Sequence, residues 1–102
     1  MMATFLFRFG FQGTPIWGSD SEDSTCIWIE AESIEEALAW GVEVATAFVA
    51  HWWPDLPPWR ECSFAHGIED KAEVLRWATE NAVPKVKCGE YPRTWDSMRP
   101  SH

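Results

Sequence analysis

The sequence predicts an α+β domain of order β-β-α-β-α-(β), a two-layer sandwich with a mostly antiparallel or mixed sheet and two helices on one face. Three observations carry this. The first thirty residues hold two period-two apolar runs separated by a Gly/Pro/Ser/Asp-rich stretch. A Ser-x-x-Glu pattern at Ser33 and Glu36 then opens an apolar stripe at helical spacing. A shorter strand-like and helix-like pair follows.

The first strand spans residues 3–11. Phe5, Phe7, Phe9 and Phe11 alternate with Leu6, Arg8 and Gly10, so one face is buried. Residues 12–23 read as a long loop. Residues 24–31 form the second strand, with Ile27 and Ile29 on one face and Cys26, Trp28 and Glu30 on the other. Antiparallel pairing would put Arg8 across from Glu30.

The first helix runs from Ser33 to about Trp53 and stops before Pro54. Ile34, Ala37, Leu38, Gly41, Ala45, Phe48, Val49 and Trp52 form its main stripe. A second stripe of Trp40, Val44, Ala47 and His51 lies beside it, and past Glu43 no outward position is charged. A helix this apolar is buried on more than one side. Its cover is either more of the same chain or a second subunit, and the stripe is the candidate homodimer interface.

Residues 54–60 are a stiff Pro-rich linker, and residues 60–68 a third strand with Cys62, Phe64, His66 and Ile68 on one face. Asp70 and Glu73 repeat the capping pattern and open a second helix to about Asn81. Its expected apolar arc is Val74, Leu75, Trp77, Ala78 and Ala82. Residues 86–89 suggest a short edge strand. The domain is expected to span 1–91, with 92–102 a partly ordered tail that lacks periodicity and frays unless Trp95 anchors it, and no internal repeat is legible.

Composition narrows the function classes. With 102 residues the chain is one domain by size. Residues 1–70 hold two basic and twelve acidic side chains, whereas residues 71–102 hold six and four. An acidic body repels phosphate, which disfavours nucleic acid; it serves solubility first, and otherwise favours a basic protein partner. No apolar run suits a membrane span or an export signal. Three widely spaced cysteines, Cys26, Cys62 and Cys88, read as reduced thiols, so a cytoplasmic location is expected.

No motif identifies a cofactor, a metal or a catalytic group. Cys62 and His66 would stand about 13 Å apart on a strand, too far to share a zinc ion. Asp20, Glu22 and Asp23 lack calcium-loop spacing. Cys26, Cys62 or Cys88 with His51 or His66 are the raw material for a nucleophile and base, and Lys85 and Lys87 beside Cys88 would lower its pKa. No local signature supports that use.

The eight tryptophans are the unusual feature. Some should stand at a contact surface. The leading expectation is a non-enzymatic binding protein that self-associates through Trp40, Val44, Ala47 and His51. One alternative is a small-molecule pocket, catalytic or not, lined by Trp17, Trp52, Trp59 and His66. Another is an acidic protein that neutralises a basic partner.

Overall fold

A computed structural model describes residues 2–12, 22–54, 59, 65–93 and 95. The elements are β1 (Ala3–Gln12), β2 (Glu22–Ala31), α1 (Ile34–Trp52), β3 (His66–Glu69), α2 (Ala72–Glu80) and β4 (Lys85–Lys87). They form a mixed four-stranded sheet in the order β3-β1-β2-β4, and the class and element order are those the sequence predicts. Strands β1 and β2 pair antiparallel over ten residues each, β3 joins β1 antiparallel, and β4 joins β2 parallel.

The register decides which side chains share a face. Phe7 lies opposite Ile27 and Ile68, so these point one way; Leu6 lies opposite Trp28, and Arg8 opposite Cys26, so these point the other. Glu30 faces Thr4, which corrects the expected Arg8–Glu30 pair. Arg8 instead donates to Glu69 of β3 at 3.4 Å.

The Phe face holds the main core. Phe7, Phe9, Phe11, Ile27 and Ile29 pack under Ala37, Val44, Ala45 and Phe48 of α1. Phe48 meets Phe9 edge-on at 5.5 Å and Phe11 at 5.2 Å. The Ser33 hydroxyl accepts the Glu36 N–H at 3.2 Å and so caps α1 as its sequence predicts. Gly41 sits where α1 comes closest to the sheet, and the ring of Phe7 fills the space that a Cβ there would need.

The placement of α2 corrects two expectations. The helix does not share α1's face. Its buried Ala78, with Val74 and Leu75, packs on Leu6, Cys26 and Trp28 of the reverse face. The physical reason is that α1, at 19 residues, already covers the Phe face. The reverse face keeps the remaining apolar ground, and α2 takes it. Second, the expected capping box fails: the N-cap is Lys71, with no side-chain cap. Glu69 Oε1 accepts the Lys71 N–H instead, at 3.1 Å.

Trp77 and Ala82 also leave the expected apolar arc of α2. Trp77 is 53% exposed, and Ala82 is exposed at φ +53 just past the helix. There the Val83 N–H reaches the Ala78 carbonyl and the Ala82 N–H the Thr79 carbonyl, a left-handed helix stop that normally holds glycine.

Candidate functional site

The second stripe of α1 is covered by the chain's own C-terminal segment. After β4, the Glu90 N–H bonds the Lys87 carbonyl at 2.9 Å, closing a tight turn. Gly89 holds φ +95 in that turn, a conformation only glycine adopts without strain. The turn throws residues 88–93 across the flank of α1 as a strap. The Trp40 indole N–H donates to the Glu90 carbonyl at 2.7 Å, and the Tyr91 ring lies 4.9 Å from the Trp40 ring. The Cys88 thiol bonds the Glu36 carbonyl at 3.4 Å. Pro92 is buried, and Trp95 meets Phe48 at 6.2 Å and His51 at 6.0 Å.

This arrangement sorts the four residues expected at a subunit interface. Val44 is 0% exposed inside the single chain, so it offers a second copy nothing; that part of the expectation is corrected. Trp40 and Ala47 are half-buried, Trp40 under the strap, and His51 is exposed against Trp95. On the outer side of α1, Ala39, Thr46 and Ala50 are small and stand in line with Glu43, while Val42 packs against the core. The Thr46 hydroxyl turns back to the Val42 carbonyl at 2.8 Å, which leaves its methyl outward.

Of the four residues expected to line a pocket, Trp59 and His66 meet, at 5.1 Å between ring centroids. Trp59 fills space rather than lining it. It is buried, its indole N–H donates to the Gly10 carbonyl at 2.9 Å, and its ring stands edge-on to Phe9 at 5.9 Å. Trp52 lies at the end of α1, 5.1 Å from His51, and its buried indole N–H has no hydrogen-bond partner among the described residues. Trp17, Cys62 and Phe64 lie outside the described residues. An open depression of about 350 Å³ is lined by Arg8, Gly10, Ser24, His66, Gly67 and Glu69, so His66 borders it while Trp59 and Trp52 do not.

The ionisable groups behave as structural ones. Burial pushes the Cys26 thiol up, and Arg8 only partly offsets this. Cys88 is also pushed up, by burial and then by the Glu36 carboxylate. The lowering expected from Lys85 and Lys87 is therefore corrected: both lysines are exposed, where water screens them. The Lys71 backbone N–H, then Arg8, hold the Glu69 carboxyl below its ordinary range. Among the described residues no three His, Cys, Asp or Glu converge on one point.

No family model matches this chain, and no curated protein or solved structure matches it either.

Sequence reasoning passed over one residue of interest, Trp77. The signal was present. Residues 36–43 read Glu-Ala-Leu-Ala-Trp-Gly-Val-Glu, and residues 73–80 read Glu-Val-Leu-Arg-Trp-Ala-Thr-Glu. Both fit Glu-x-Leu-x-Trp-x-x-Glu, a short repeat too brief to stand out by period. The fold gives matched positions matched places: Gly41 and Ala78 are buried against the sheet, and Leu38 and Leu75 are half-buried. Trp40 and Trp77 stand on the flanks, one covered and one bare.

Proposed function

We propose that this chain is a non-enzymatic protein-binding domain whose partner presents a basic segment. The observation that carries the reading is the placement of charge. No described polar or charged side chain is buried, and Glu32, Glu35, Glu36, Glu73, Glu80 and Glu90 are all exposed. The chain carries sixteen acids against eight bases, and none of the described acids is buried. Such a surface attracts cationic segments and repels phosphate backbones. An aromatic surface beside it supplies the desolvated contact that charge alone does not.

A second reading, self-association through α1, rests on the small, uncharged outer positions past Glu43, Thr46 and Ala50. It shifts the contact off the strap-covered flank. Like-charged copies repel one another, which places it second.

Fluorescence anisotropy tests the first reading. Labelled Lys/Arg-rich peptides containing tyrosine should bind at 0.15 M salt, and Asp/Glu-rich peptides of equal length should not. Equal binding to both sets, or to neither, would overturn the reading. Sedimentation velocity separates the second: Ala39→Glu or Ala50→Glu should dissociate any dimer.

A further inference from the structure

The strap shows what a Glu-x-Leu-x-Trp-x-x-Glu helix flank takes as its cover. On α1 the occupant is extended chain. Its backbone carbonyl at Glu90 accepts the indole N–H, and its Tyr91 ring lies on the indole ring. The strap itself carries one acid and one base, Glu90 and Arg93, and Lys85 and Lys87 of β4 precede it, all exposed, while Glu36 and Glu43 flank Trp40 on the helix.

Among the described residues the matching flank of α2 has no such cover. Trp77 is 53% exposed on a helix with Ala78 buried beneath it. Its own carbonyl accepts the Asn81 side-chain amide at 2.8 Å, and among the described residues none bonds its indole N–H. Glu73 stands one turn before it and Glu80 one turn after, both exposed, with the exposed Arg76 between them on the same side of the helix. An indole between two carboxylates suits a cationic, aromatic-bearing chain: the ring face attracts a cation and the acids add charge.

We infer that the Trp77 flank of α2 is a docking site for an extended, basic, tyrosine-bearing segment of a partner protein. The segment would lie on α2 as residues 88–93 lie on α1. This inference rests on the protein-binding reading above and adds to it the face and the form of the ligand. It assigns roles: Trp77 is the anchor, its N–H takes a backbone carbonyl of the incoming chain, and Glu73 and Glu80 select positive flanks.

The probe is a synthetic peptide with the sequence of residues 85–95, carrying Cys88→Ser, titrated into the full-length protein. Trp77→Ala should weaken its binding about tenfold or more, as loss of an anchoring tryptophan does. Glu73→Gln with Glu80→Gln should weaken it less and flatten its salt dependence. A peptide that also carries Tyr91→Ala should bind less well. Trp77 is mostly exposed, so the variant should keep its far-ultraviolet circular dichroism and melting temperature, which confirms that any loss is local.

If the peptide binds Trp77→Ala as tightly as the parent, for instance by displacing the strap from Trp40, the inference is overturned. If Lys/Arg-rich peptides bind the parent and the variant alike, the site is wrong while the protein-binding reading stands. If no basic peptide binds either protein, both fail. If the parent is a dimer and Trp77→Ala a monomer, the occupant is a second copy, and the partner-protein assignment is overturned.

Discussion

Replacing Gly41 by alanine isolates the closest contact between α1 and the sheet. On an exposed helix this change would stabilise by roughly 1 kcal/mol, because alanine is the better helix former. Here the new methyl would enter the ring of Phe7. That ring has no exposure, and neighbours at 5.7 Å (Phe9) and 6.1 Å (His66) limit its retreat. Forcing a methyl into a packed core costs about 1–3 kcal/mol, and a ring held on both sides belongs at the upper end. The net expectation is a loss of about 2 kcal/mol, the overpacking cost less the helix gain. For a domain near this size, that lowers the melting temperature by about 8–16 °C, read by calorimetry or circular dichroism. Phe7→Leu should relieve the clash, so a double-mutant cycle should give a coupling of about 1 kcal/mol or more. A Gly41→Ala protein as stable as the parent would refute the packing argument.

Three further outcomes follow from the same contacts. Ala82→Gly should raise stability by up to about 1 kcal/mol, because Ala82 holds φ +53 at the left-handed stop of α2; a loss on urea titration would show that this strain is absent. The raised thiols of Cys26 and Cys88 contribute stability in full below the ordinary thiol range, and it is lost as pH rises through their folded values. In a Cys62→Ser background, both should therefore react with a disulfide reagent more slowly at pH 8 than in the unfolded chain. The lowered Glu69 contributes stability above the ordinary carboxylate range that is lost as pH falls through its folded value. Glu69→Gln should flatten the acid side of the stability curve, and an unchanged acid limb would contradict the role given to its Arg8 and Lys71 contacts.

Much of the fold was legible because short-range rules govern it. Alternation from Phe5 to Phe11, the Ser33 cap and the stop before Pro54 each act within a few residues. The element order follows from them. What was not legible depends on contacts distant in sequence. Amphipathicity shows that α2 has a buried arc but not which sheet face receives it. That choice was made by α1 occupying the Phe face. The apolar flank of α1 correctly implied a cover, and its nature was open between chain and subunit. Residues 88–95 lack periodicity, so nothing local revealed that Glu90, Tyr91 and Trp95 would supply it. Trp77 was misplaced for a related reason: it borders the buried arc, where spacing alone cannot separate half-covered from bare.

The account rests on the contrast between two tryptophans on matched helix flanks, one strapped and one open. Hydrogen exchange of the indole N–H groups, assigned with single Trp→Phe variants, reads that contrast directly. The Trp40 N–H, held by the Glu90 carbonyl, should be protected, and the Trp77 N–H should exchange near the rate of free indole. A protected Trp77, or a Trp40 exchanging at the free rate, would contradict the account.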